Sequence, residues 1–229
     1  MKEVKKSYVS KQIVKKVIDF CLDKDYRFIF LSGNGGAGKT TLSEELVTEV
    51  KALGLNVNCI DMDEFVLDTK MRKSGKKVWT DINGKTRESE YTTSFKESYY
   101  LSAPEVIVYS LTQGKNCYFK PKKRNEFVEV NAQVAITIIE GVGSAFLEKL
   151  PQTFGIFLMC NRDVEVSRRI SRARDGEQNL SREEVKRKCD ERNEQFEAFI
   201  LPEREKFDLE LSSQEDYSLI VERDDLNVF

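Results

Sequence analysis

Eight consecutive residues, Gly33-Asn34-Gly35-Gly36-Ala37-Gly38-Lys39-Thr40, match the phosphate-loop pattern G-x-x-x-x-G-K-[ST] at every specified position, and Thr41 follows. Such a loop works only between a strand and a helix, and its flanks supply both. Phe28, Ile29, Phe30 and Leu31 form a short apolar run of buried-strand type, whereas Leu42, Leu46, Val50 and Leu53 recur at helical spacing until Gly54. Glycines let the backbone curl until several N–H groups face phosphate oxygens, and the helix opening near Lys39 adds the positive end of its dipole. Residues 33–41 are therefore expected to bind a nucleoside triphosphate. Lys39 is expected at the terminal phosphates and the Thr40 hydroxyl on Mg²⁺.

The rest of the chain repeats the alternation of strand and helix. Val57 to Ile60 reads as a second strand that runs into the acidic cluster Asp61-Met62-Asp63-Glu64. Val134 to Ile139 is the most β-branched run, which predicts a central parallel strand ended by Glu140-Gly141. Phe154 to Cys160 predicts the next strand, with short ones near Leu209 to Leu211 and Leu219 to Val221. Helices are expected from Val9 to Cys21, after the capping box Ser102-Ala103-Pro104-Glu105, over the arginine-rich Val164 to Ala173, and from the capping box Ser181-Arg182-Glu183-Glu184 to Phe199. The predicted fold is α/β, a doubly wound parallel sheet with flanking helices, plus a small β-hairpin and a helical lid. Residues 1–229 read as one domain, with an acceptor-side excursion at about 64–100, the hairpin at about 116–131 and the lid at about 162–180. Asp68 to Ser94 is polar and turn-rich, an excursion off the sheet.

Composition narrows the chemistry. With 37 basic and 39 acidic residues the formal charge is −2, so no bulk electrostatic case exists for nucleic acid or an anionic membrane as partner. Five cysteines without a C-x-x-C pair suit reduced thiols, and no apolar run reaches the length of a membrane span. A cytoplasmic protein is expected. There is no histidine, so a general base at neutral pH is most simply a carboxylate.

Three groups beyond the loop carry chemistry. Asp63 follows the second strand, where α/β sheets bind ligands, and is a candidate base for an acceptor hydroxyl; it is also a plausible turn cap. Asp61 competes with it, because alternation along a strand points both to one face. Glu140 ends the β-branched strand, suited to orienting Mg²⁺ or its water. A guanine-nucleotide switch would show D-x-x-G there and N-K-x-D later, and both are absent. Arg168, Arg169 and Arg172 share one broad helical face, with Arg174-Asp175 beyond, so their guanidinium groups are expected to meet phosphate together.

The order GNGGAGKTT, Asp63-Glu64-Phe65, Glu140-Gly141, the arginine run, then Phe199-Ile200-Leu201-Pro202-Glu203-Arg204 with Phe207-Asp208-Leu209 resembles the uridine kinase and phosphoribulokinase family of P-loop kinases. The likeness spans roughly Phe28 to Leu211. It implies ATP- and Mg²⁺-dependent transfer of the γ-phosphate to a hydroxyl of a small molecule. It also implies Asp63 as general base in a D-x-F element, Glu140-Gly141 as the E-G element, and Arg169 and Arg172 as lid arginines. Alanine follows Arg172, and the Arg-Asp pair comes later. On the acceptor side, the histidine-containing element of uridine kinases is absent, and Ser94-Phe95-Lys96-Glu97-Ser98-Tyr99 resembles the F-P-E-S-Y-D of pantothenate kinases. A nucleoside such as uridine or cytidine is the first expectation for the acceptor. A pantothenate-like or sugar-like alcohol is the alternative, and Asp63, Arg87, Glu88, Tyr91 and Tyr99 are candidate contacts. A nucleotide-binding regulator that performs no transfer shares the same loop and is the competing class.

Overall fold

The computed structural model describes residues 7–122, 124–172 and 180–229. In chain order these form β1 (Ser7–Tyr8), α1 (Ser10–Asp23), β2 (Phe28–Gly33), α2 (Lys39–Ala52), β3 (Val57–Asp61), α3 (Thr69–Lys73), β4 (Lys76–Thr80) and β5 (Thr86–Glu90). There follow α4 (Ser102–Thr112), β6 (Cys117–Phe119), β7 (Val128–Val130), β8 (Ile136–Glu140), β9 (Thr153–Cys160), α5 (Arg162–Arg172), α6 (Arg182–Phe199), β10 (Leu209–Ser213) and β11 (Leu219–Asp224). No helix among the described residues is long and apolar enough to cross a membrane.

Five strands pair in parallel in the order β10-β9-β2-β8-β3, and β11 and β1 extend the β10 edge antiparallel. The sheet is thus parallel-dominated and mixed. Every residue of β2 and β8 is buried, because helices cover both faces and leave neither side of a central strand for water. Alternation sorts the side chains. Ile29, Leu31, Ile136, Ile138, Phe154 and Ile156 pack with Ile13, Val17, Leu46 and Val50 of α1 and α2. Phe28, Phe30, Ile139 and Phe157 turn the other way, onto Ile107, Val108 and Leu111 of α4 and Phe196 of α6. The registers Leu31↔Glu140 and Asp61↔Glu140 bring the carboxyl ends of β2, β8 and β3 level beside the loop that follows β2.

One expectation needs correction. The box at Ser102 does not cap α4. Leu101 is itself helical, at φ −61° and ψ −29°, so Ser102 already lies inside the helix. The Ala103 and Glu105 N–H groups bond to the carbonyls of Tyr100 and Leu101 instead. The excursion after Asp68 is also more regular than its composition suggests. It holds α3 and an antiparallel hairpin, β4–β5, whose turn is gathered by Asp81 accepting from the N–H groups of Asn83 and Lys85, both at 2.9 Å. Apart from buried Trp79 and exposed Val78, which are adjacent and point to opposite faces, the hairpin strands are polar, so neither carries an apolar alternation to read. The boxes and strands expected elsewhere form: Ser181 and Glu184 make both bonds of a capping box, and β6 and β7 pair.

Leu46, fully buried between α2 and the sheet, tests this core. Leu46→Ala should lower the unfolding free energy by about 2–5 kcal/mol. Urea denaturation should show a lower midpoint at unchanged slope; an unchanged midpoint would contradict the packing described.

Candidate active site

The loop between β2 and α2 departs from ordinary backbone geometry at once. Gly33 has φ +139°, and a Cβ there would lie 1.7 Å from the Leu158 carbonyl oxygen on β9, so no side chain fits. Asn34 then folds its amide onto Cys160, accepting from its N–H at 2.9 Å and donating to its carbonyl at 3.0 Å. Gly36 and Gly38 also have positive φ, which keeps the loop concave up to the start of α2. A Cβ on Gly35 would meet the Arg169 guanidinium at 2.0 Å. Ala37 is buried, whereas Thr40 and Thr41 are exposed at the helix start.

Lys39 turns back over the loop and donates to the carbonyls of Gly33 at 3.0 Å and Asn34 at 2.8 Å. Its stem is partly exposed, but the loop encloses the ammonium. That desolvation lowers its pKa, against the upward pull of Glu140 and Asp63. Thr40 Oγ1 donates to Glu140 Oε1 at 3.1 Å. Glu140 is 5% exposed, and its carboxyl is pushed up to about 7, first by burial and then by the Asp61 charge. Thr40 and Glu140 are the hard oxygen donors that Mg²⁺ accepts when substrate phosphates and water complete its shell, and the concave loop beside them fits a phosphate chain. No group of three potential metal-ligating side chains occurs among the described residues.

Asp61 and Asp63 are not on one strand face. β3 ends at Asp61, and Met62–Phe65 forms a 3₁₀ turn capped by the Asp61 carboxylate, which accepts from the Asp63 N–H at 2.8 Å. The capping role thus belongs to Asp61, and the Asp63 carboxylate is exposed. Asp63 remains close enough to act electrostatically on Lys39, Glu140 and Tyr99.

The arginines of α5 diverge. Arg168 is buried and donates to the carbonyls of Gly36 (2.9 Å), Ala37 (3.3 Å) and Gln214 (2.6 Å) and to Ser213 Oγ (3.0 Å), with its guanidinium over the Tyr217 ring. It grips the outside of the loop and is not turned to phosphate with its neighbours, because successive helical positions lie about 100° apart. Arg169 lies over Gly35 and pairs with Glu165, Nε at 2.9 Å and Nη2 at 2.8 Å. The Arg172 side chain, Arg174 and Asp175 lie outside the described residues.

On the acceptor side, Arg87 pairs with Asp81 and Glu194, and Glu88 pairs with Lys76. Tyr91 stacks edge-on with Phe95. Tyr99 is buried over Gly143 and donates to the Thr93 carbonyl at 2.9 Å. None of these four lines the cleft of about 60 Å³ that opens beside the loop. Its walls are Asn34 and Gly35, Thr92 to Ser94, Val142, Glu165 and Arg169, and Arg192, Asn193 and Phe196 of α6. Sequence reading missed Thr92, Thr93, Glu165, Arg192 and Asn193. The only signal for them was position, in a segment beside the recognised acceptor element and in a helix read for its length.

A model of the phosphoribulokinase / uridine kinase family matches residues 28–218. Among solved structures, a D-glycerate 3-kinase from Cryptococcus neoformans var. grubii is similar at TM-score 0.61 and 11% identity, covering 91% of this chain and 96% of that one. A candidate fructose transport system kinase from Silicibacter sp. TM1040 aligns at TM-score 0.55 and 17% identity, covering 86% and 95%. A candidate uridine kinase from Bacillus stearothermophilus reaches TM-score 0.45 at 15% identity, covering 69% and 86%. No curated protein matches the chain. The first two likenesses show the fold, a P-loop kinase fold.

The raised pKa of Glu140 makes stability depend on pH in a defined direction. Between the ordinary carboxyl pKa and about 7, the folded chain holds a proton that the unfolded chain has released. Stability of the metal-free protein should therefore fall as pH rises through that window, by on the order of 3 kcal/mol, and level off above it. Glu140→Gln should lose this component when unfolding is measured from pH 5 to 8. An identical pH slope in parent and variant would assign the dependence elsewhere.

Proposed function

The chain belongs to the phosphoribulokinase and uridine kinase family, and we propose that it is an ATP- and Mg²⁺-dependent kinase that phosphorylates a hydroxyl of a small, polyhydroxylated alcohol. One observation carries this reading: Lys39, the Thr40–Glu140 pair and Asp63 meet at the ends of β2, β8 and β3, beside the cleft. The loop amides and Lys39 hold the phosphates, and Arg169 faces them from the rim. Thr40 and Glu140 would hold Mg²⁺, whose chemistry there would be to offset phosphate charge. The acceptor oxygen attacks the γ-phosphorus as the bond to the ADP oxygen breaks, and Asp63 takes the hydroxyl proton. Lys39 and Arg169 offset charge on the moving phosphoryl group.

The choice of acceptor rests on the cleft walls. Phe196 is the one aromatic side chain among the described lining residues, which leaves a nucleobase without a second ring to stack on. Thr93 and Ser94 offer hydroxyl groups, and Asn193 an amide, to a small polyol. A sugar-like or sugar-acid-like alcohol is therefore favoured over uridine or cytidine. We take residues 1–229 as one kinase domain.

The test is ADP formation from ATP and Mg²⁺ with D-glycerate, D-fructose, pantothenate, uridine and cytidine as acceptors. Acceptor-dependent ADP with one of the first three is expected. Tight ATP binding with no acceptor-dependent ADP would leave a nucleotide-binding regulator. Asp63→Asn should keep ATP binding while lowering turnover by about 10²–10⁴, the usual range for loss of a general base. Asp61→Asn, which keeps the oxygen that caps the 3₁₀ turn, should retain most activity. The reverse pattern would move the base to Asp61.

A further inference from the structure

α6 forms one wall of the cleft and, two residues on, holds the loop that forms another. Arg192 and Asn193 line the cleft. Gln195, on the same helix, is 4% exposed and points at the segment between β5 and α4. Its Oε1 accepts a short hydrogen bond from Thr92 Oγ1, and its Nε2 donates to Ser89 Oγ at 3.0 Å. Ser89 Oγ also accepts from Trp79 Nε1 at 3.0 Å, so one amide joins the helix, the hairpin and the residues after it.

Residues 92–94 are held from several directions. The Ser94 N–H bonds to Thr92 Oγ1, Ser98 Oγ donates to the Thr92 carbonyl at 2.5 Å, and Tyr99 donates to the Thr93 carbonyl. The hydroxyls of Thr93 and Ser94 make no hydrogen bond among the described residues, yet both residues line the cleft. A backbone fixed so thoroughly beneath two unengaged hydroxyls is suited to present them to a ligand.

We propose that Gln195 is a positioning residue for acceptor binding: it sets residues 92–94 so that Thr93 and Ser94 meet the hydroxyls of the substrate. The inference rests on the kinase reading above. A buried amide bonded at both ends is a specific device, since removing it orphans a threonine and a serine hydroxyl in a dry environment.

The test uses Gln195→Met, which keeps length without hydrogen bonds, and Gln195→Glu, which accepts from Thr92 and, after rotation of its hydroxyl, from Ser89. Thr92→Val removes the same bond from the other side without touching α6. With the alcohol that the parent phosphorylates, Gln195→Met and Thr92→Val should raise acceptor KM about tenfold or more while ATP KM stays within about twofold; one buried hydrogen bond is of that order. Gln195→Glu should recover most of the loss. Amide exchange should quicken at Ser94 and Ser98 in the Met variant.

Equal changes in both KM values, or faster exchange with unchanged acceptor KM, would reduce Gln195 to a structural role. Unchanged exchange at Ser94 overturns the inference even if KM moves. A parent chain that forms no acceptor-dependent ADP overturns the kinase reading itself, and is told apart because the variants are scored only against a parent that turns over.

Discussion

The reciprocal clamp between the Asn34 amide and the Cys160 backbone sets the geometry on which the site depends. Gly33 pairs in register with Leu158, and the Asn34 side chain continues that pairing where its own backbone must leave the sheet to form the loop. The next residue, Asn161, caps α5 by accepting from the Val164 N–H at 2.9 Å. One turn further, Arg168 returns to the carbonyls of Gly36 and Ala37. The loop is thus gripped near both ends by a segment about 130 positions later in the chain. Because these bonds are buried, losing one partner costs the desolvation of the other, which makes the grip stiff. The first turns of α5 therefore belong to the loop's scaffold.

Charge follows from the same arrangement. Burial raises the cost of ionising Glu140, and the Asp61 carboxylate, in register with it at the end of β3, adds to that cost. Lys39 opposes this from the loop, while its own enclosure favours the neutral amine. Near the rim, Glu165 is 4% exposed and is shared between Arg169 and Arg162, which keeps a buried carboxylate beside an anion site from standing unpaired. Lys39 thus lies at the loop, the paired Arg169 and Glu165 at the rim, and the Asp61 and Glu140 carboxylates at the strand ends. The proposed transfer to a hydroxyl would draw on that separation between the loop cation and the strand-end carboxylates.

How much of this was legible differed by the range of the interaction that decides each part. The loop, both its flanks, the buried strands and the α6 capping box each carry a signature within a few residues, and local pattern was enough to read them. The expectation that Asp61 and Asp63 share one face fails because strand alternation stops at Asp61, whose carboxylate caps the 3₁₀ turn that follows. Arg168 was grouped with Arg169 because both lie on an arginine-rich helix. Only the position of Gly36, Ala37 and Gln214 in space distinguishes a residue that braces the loop from one that faces it. Thr92 and Gln195 meet across 103 positions, a distance at which a single chain carries no signal.

The polarity of α6 has a physical explanation in the same terms. The helix holds few buried apolar residues, Val185, Cys189 and Phe196 among them, and reads as a solvated face. Its neighbours are what make that composition stable. One side looks into the cleft through Arg192 and Asn193, another meets a polar hairpin through Glu194 and Gln195, and only Phe196 reaches the main core. Phe199 closes the end, packing against Trp79 at 5.5 Å and Phe95 at 4.8 Å. A conventional amphipathic stripe would have buried one side and left the hairpin without hydrogen-bond partners. Successive positions from 192 to 196, each rotated by about 100°, address three different surroundings in turn. The helix stands between the cleft and the hairpin because its side chains suit both.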